Sequence, residues 1–158
     1  MIEEQVEIVV SVQPAEAFRF VSDPRNELAW NRYAVRIEKT SVGPNRKGSR
    51  HRGNYRGAGT FDLEVTEYVP NVRSGCSGRS RWLGWDQTDE LHSLDESVQV
   101  RRSMVGYFKG PMRLLEPVLA GPFKRRFRGS AGLIKEALES GRAAQLLDEL
   151  SRQDAENA

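Results

Sequence analysis

His51 and Tyr55 stand four residues apart in a polar segment, 48–56. Side chains in an extended segment alternate, so Ser49, His51, Gly53 and Tyr55 share one face. Arg50, Arg52, Asn54 and Arg56 share the other. Four long polar groups want water, which turns His51 and Tyr55 inward. An imidazole titrates near neutrality and suits a general base. A phenol beside it could donate to a developing enolate oxygen. Arg102 is the third candidate. Val98 and Val100 face inward in the segment 97–108, and the same parity carries Arg102, Met104 and Gly106 with them. An inward guanidinium needs a carboxylate or a ligand that supplies acceptors. In 85–93, an inward Leu91 places Trp85, Gln87 and Asp89 on its side. Asp89 is then the expected partner of Arg102. His51, Tyr55 and Arg102 are the catalytic candidates.

Other reactive groups suggest less. His92 has the parity opposite to Leu91 and is expected in solvent. Cys76 is the single cysteine. It has no basic neighbour in sequence to mark a nucleophile, so it reads as a small buried hydrophobe. One thiol and two histidines give no metal-ligand spacing, and neither a metal nor a cofactor is expected. Trp30, Trp82, Trp85 and Tyr33 offer flat faces for stacking on a ring. For Trp30, core packing is the competing role.

The chain has 158 residues, 38% hydrophobic and 29% charged. That suits one globular domain. No apolar run is long enough to span a bilayer. The acidic start, Met1-Ile2-Glu3-Glu4-Gln5, does not resemble a secretory leader, and a cytoplasmic location is expected. The net charge of +2 is unevenly spread. Residues 1–31 carry 6 acidic and 2 basic groups, as do residues 136–158, while 32–135 carry 20 basic and 10 acidic. A basic middle raises nucleic acid as a partner. The acidic ends offset it, and nucleic acid is not the expected partner. Lys124-Arg125-Arg126-Phe127-Arg128 is the densest basic run. It reads as a solvated helix face, or as a surface for an anionic membrane or acidic protein.

These groups need a frame to hold them. Val6, Ile8, Val10 and Val12 alternate as in a half-buried strand. Pro14 opens a helix, Asp23-Pro24 stops it, and Asp23 caps a second short one. Six strand-like segments follow between Val35 and Phe108. Phe61, Leu63 and Val65 share one face of the clearest of them, and Leu83-Gly84 reads as a hairpin tip. After Gly110-Pro111 the period becomes helical, with Leu115, Leu119, Phe123, Phe127, Ile134 and Leu138 in one stripe. Pro117 and Gly121-Pro122 predict a break or kink between 116 and 123, then a helix over 123–140 capped by Gly141. Residues 143–158 read as an acidic tail, helical for a turn or two and frayed from Ser151.

The order is strand, two short helices, six strands, long helix. It carries Val10-Ser11-Val12-Gln13-Pro14-Ala15-Glu16-Ala17-Phe18, Val21-Ser22-Asp23-Pro24 and Trp30. Later come Val42-Gly43-Pro44, Lys47-Gly48-Ser49, Val65-Thr66-Glu67-Tyr68-Val69-Pro70, and Gly110-Pro111-Met112-Arg113-Leu114-Leu115-Glu116-Pro117. Over residues 4–141 this resembles the START/Bet v1-like (SRPBCC) superfamily, and more narrowly its polyketide cyclase/dehydrase-like branch of bacterial proteins. Asp95-Glu96-Ser97 departs from the Asp-Gly-Thr-type turn that relatives often carry.

The resemblance implies an α+β helix-grip fold. A curved antiparallel sheet of about seven strands would wrap a long, Pro-kinked C-terminal helix, with the domain over 1–142 and the tail over 143–158. Such a sheet bends away from a straight helix and leaves a gap, which side chains or a guest must fill. Gly53, Gly57, Gly59, Gly75, Gly78 and Gly106 either leave room for a guest or only permit bulges. The expected function is binding of a hydrophobic or aromatic small molecule, lipid- or polyketide-like. Phe61, Leu63, Trp82, Trp85, Asp89, Leu91, Met104, Leu119 and Phe123 are the expected lining. The alternative is a polyketide cyclase, aromatase or dehydratase, for whose aldol cyclisation and dehydration His51, Tyr55 and Arg102 would serve. A homodimer through sheet edges or hairpins is a further expectation, and an interaction protein working through its basic surface is a third class.

Overall fold

A computed structural model describes residues 1–158. Strand β1 spans Ile2–Val10. Helix α1 spans Pro14–Val21, and a 3-10 helix covers Pro24–Ala29. Six strands follow: β2 Ala34–Lys39, β3 Arg50–Tyr55, β4 Gly59–Val69, β5 Arg73–Arg79, β6 Leu83–Ser93 and β7 Val98–Phe108. A 3-10 helix over Gly110–Leu115 leads into α2, Glu116–Glu139, and α3, Arg142–Glu156. All strands lie in one antiparallel sheet of order β1-β7-β6-β5-β4-β3-β2. The meander β2–β7 thus closes against β1, and α1 with the first 3-10 helix carries the chain across from β1 to β2.

Local chemistry explains the joints. Pro14 sits in the first turn of α1, where its missing N–H is not needed. The Asp23 carboxylate accepts from the Arg25 backbone N–H at 3.0 Å and caps the first 3-10 helix. Register shifts between Ala34 and Arg36 in β2, and between Val65 and Glu67 in β4. Extra residues at such points bend a strand and increase its twist.

Three expectations need correction. Leu83 and Gly84 do not form the hairpin tip. They lie inside β6, opposite Phe108 and Tyr107, and the turn falls at residues 80–82. A Cβ on Gly84 would stand 2.6 Å from the Tyr107 ring, so this glycine admits a ring rather than a turn. The long helix does not begin at 123 either: α2 starts at Glu116 and runs through Pro122. The lost hydrogen bond would have gone to Val118, an exposed residue on the first turn, where water reaches the carbonyl. The fraying expected from Ser151 is replaced by α3, which continues to Glu156. Ala143, Leu147 and Leu150 are buried, and Asp154 binds Arg25 through two bonds of 2.9 Å. Gly141 takes the left-handed conformation between α2 and α3, with φ of 84°.

The main core joins β1, β6, β7, α1, α3 and the second half of α2, around Ile8, Val10, Phe18, Phe20, Val98, Val100, Ile134 and Leu138. A second cluster, Ile37, Phe61 and Leu63, lies across the sheet. The buried residues of α2 begin only at Phe127; before it, Leu115 and Val118 are exposed. The front of α2 therefore stands off the sheet, and a hollow separates the two clusters. No helix is long and apolar enough to cross a membrane.

Candidate functional site

The hollow is a cavity of about 980 Å³ between the first half of α2 and the inner face of β3, β4, β6 and β7. Glu27, in the first 3-10 helix, and Trp30 to Tyr33 just after it close one side. Seven aromatic groups line it: Trp30, Tyr33, Tyr55, Phe61, Trp85, Phe123 and Phe127. The strand glycines explain how those rings sit. A Cβ on Gly78 would stand 2.2 Å from the Trp85 ring, and one on Gly106 would stand 2.9 Å from Phe123. Gly53 stands likewise beside Tyr55, at 2.8 Å. Each glycine lets a ring lie close against the sheet, and that ring, not bare backbone, forms the wall. Gly57 lies in the turn between β3 and β4 and Gly59 opens β4, both at positive φ.

Glu27, Tyr55, Gln87 and Arg102 are among the polar groups of the lining. The Tyr55 hydroxyl donates to Glu27 Oε1 at 3.1 Å, and Asn31 Nδ2 donates to Oε2 at 2.9 Å. Burial pushes the Glu27 carboxyl above the usual range, while Asn31, Arg102 and Tyr55 pull it down. Burial, then the charge of Glu27, raises the Tyr55 phenol, so it stays a donor. Arg102 is clamped by Asp89, with Nε–Oδ1 at 2.7 Å and Nη2–Oδ2 at 3.1 Å. Its guanidinium lies 5.7 Å from the centre of the Trp30 ring. Gln87 Nε2 donates to Asp89 Oδ2 at 3.0 Å. A void of about 20 Å³, room for one water, lies alongside and touches Cys76, whose thiol is pushed up by burial.

Neither a family model nor a curated protein matches this chain by sequence. Solved structures do match. A START superfamily protein from Mycobacterium smegmatis aligns with TM-score 0.67 at 16% identity, over 91% of this chain and 98% of that one. Ara h 8.0201 aligns with TM-score 0.63 at 16% identity, over 86% and 96%. The di-domain ARO/CYC BexL, from the BE-7585A biosynthetic pathway, aligns with TM-score 0.62 at 16% identity, over 86% of this chain and 46% of that one. The chain has the START/Bet v1-like (SRPBCC) helix-grip fold. At this identity the likeness concerns backbone architecture and assigns no residue a role.

Within the helix-grip frame the expected site residues divide. Tyr55, Phe61, Trp85, Arg102, Met104 and Phe123 line the cavity. Asp89 lies behind Arg102, buried. Leu63 and Leu91 are packed in the two cores, Trp82 is exposed at the β5–β6 turn, and Leu119 lies outside the lining. His51 does not join Tyr55 and Arg102. It is buried near the first 3-10 helix, with Nε2 3.7 Å from Asp23 Oδ1, and burial lowers its pKa to about 4. An imidazole that stays neutral and closed off is a poor base for a molecule in the cavity. His92 is exposed. Sequence reasoning missed Glu27. Its signal was the spacing to Trp30, because residues three apart eclipse on a 3-10 helix and share a face.

Proposed function

We propose that the protein binds a hydrophobic, ring-bearing small molecule between its sheet and α2, as a carrier or sensor. One observation carries this reading: the front half of α2 stands away from the sheet and leaves an aromatic-walled cavity of about 980 Å³. That is ample for a drug-sized ligand, with a few polar groups to orient it. Phenylnaphthylamine, a neutral apolar fluorophore, tests it. Saturable binding of one molecule per chain is expected, with quenching of Trp30 and Trp85 and loss of binding in Met104→Trp, which fills the space. Absence of saturable binding, or binding unchanged by Met104→Trp, would refute the reading.

A second reading, proton transfer on a bound carbonyl compound of polyketide type, is favoured by the contact of Tyr55 with Glu27 inside the cavity. Glu27 takes the acid–base place expected of His51, Tyr55 donates to oxygen and Arg102 polarises the carbonyl. Glu27→Gln is expected to lower turnover of a poly-β-ketone analogue by roughly 100-fold while phenylnaphthylamine still binds. Turnover that survives the substitution would end this reading.

A further inference from the structure

Some arginines of this protein pair with a carboxylate and others, Arg46, Arg81 and Arg113 among them, do not. On the outer face of the sheet Arg52 pairs with Asp62, Arg73 with Glu67, Arg79 with Asp86 and Arg101 with Glu7. The basic run on α2 divides the same way. Lys124 and Arg128 turn to β1 and share Glu4, at 3.6 and 2.9 Å. Arg125 and Arg126 turn to the cavity rim, which Arg32 and Arg56 also line. All four rim arginines are exposed, and none has a carboxylate within 4.0 Å. Two of them contact Tyr33: Arg126 lies 4.0 Å from its ring centre, and Arg32 Nη2 donates to its hydroxyl at 2.9 Å. The only acid lining the cavity is Glu27, already engaged by Tyr55 and Asn31.

We propose that the ligand is an amphipathic anion, whose apolar or aromatic body lies in the cavity and whose carboxylate, sulfonate or phosphate head is held by Arg32, Arg56, Arg125 and Arg126 at the rim. The proposal rests on the cavity reading above and adds the charge. Guanidinium groups along one rim, without carboxylates, favour an anion, and each presents a planar fork that matches such oxygens. An aromatic wall leading to a cationic rim selects molecules with both parts. An apolar molecule without a head leaves the arginines unmatched, and a bare anion leaves the wall wet.

A pair of probes separates the two claims. Anilinonaphthalene sulfonate carries an anionic head on nearly the same body as neutral phenylnaphthylamine. Arg125→Ala/Arg126→Ala is expected to weaken the sulfonate about tenfold, since charge-assisted bonds to it are lost. The neutral probe keeps its affinity, which also reports an intact cavity. Rising salt weakens the sulfonate on the wild-type protein and less so on the variant. Arg46→Ala/Lys47→Ala removes the same charge away from the cavity lining and leaves both probes unchanged. Oleate displaces the sulfonate and inorganic phosphate alone does not. The proposal is overturned if the rim variant keeps its sulfonate affinity, if the Arg46/Lys47 control weakens it equally, or if phosphate displaces it as oleate does. Failure of the neutral probe to bind the wild-type protein would instead overturn the cavity reading.

Discussion

Asp89→Ala is expected to lower the unfolding free energy by about 3–5 kcal/mol, the usual cost of leaving one member of a buried ion pair alone. In a chain of 158 residues that corresponds to a drop of roughly 10 °C in Tm. The reason lies in the register. β6 and β7 place Asp89 directly opposite Arg102, and both point to the inner face. The side chains are 2% and 4% exposed and joined by two bonds. Without the carboxylate the guanidinium keeps the face of Trp30, the neighbouring Glu27 and whatever water enters the void beside it. Asp89→Leu combined with Arg102→Met removes both charges and is expected to recover most of the loss. Urea unfolding of the two variants checks this. A loss below about 1 kcal/mol in Asp89→Ala would put the pair in the surface class, with water reaching it.

That pair was readable from strand parity, because Leu91 and Val100 are strongly apolar and each fixes the side of its neighbours two residues on. Parity also placed His51, Gly53 and Tyr55 on the inner face. It does not say which stretch of the inner face a residue occupies. At about 3.3 Å per residue, His51 and Tyr55 stand roughly 13 Å apart along β3. One end of the strand lies near Asp23 and the first 3-10 helix; the other opens into the hollow. Two inward residues on one strand thus meet a sealed polar nook and a ligand-sized space.

Other features were hidden because they depend on distant partners. Gly84 has the composition of a turn, yet it is set by the Tyr107 ring across the sheet. The last residues are polar and acidic. What keeps them helical to Glu156 is Arg25, 129 positions earlier, reaching Asp154. Arg125 and Arg126 were visible within a basic run, but its parts could not be separated. Glu4, on β1, neutralises Lys124 and Arg128 and leaves Arg125 and Arg126 for the cavity. Helical spacing shows that residues 124 and 128 share a face; it does not show which face finds an acid.

Acid is expected to unfold the protein earlier than its carboxylates alone would, and His51 is the cause. Burial lowers its pKa from 6.5 to about 4, with Asp23 and Asp154 opposing the shift and Arg25 and Lys39 adding to it. An imidazole depressed in the folded chain takes up its proton more readily when unfolded. The contribution is whole above the ordinary value of 6.5 and drains away as the pH falls toward about 4. At about 1.4 kcal/mol per pH unit, the loss over that window is about 3 kcal/mol. Glu27, raised by burial, acts with the opposite sign and gains stability as acid neutralises it. Asp154, lowered by the bonds of Arg25, loses its share as the pH falls through its own depressed value. Comparison with His51→Gln removes these common terms. The difference in unfolding free energy between wild type and variant, measured in urea across the window, is expected to change by about 3 kcal/mol in favour of the variant toward low pH. A constant difference would mean that the imidazole titrates at the same pH folded and unfolded. It would then have to reach water or share its proton with Asp23, and the nook around it would not be closed.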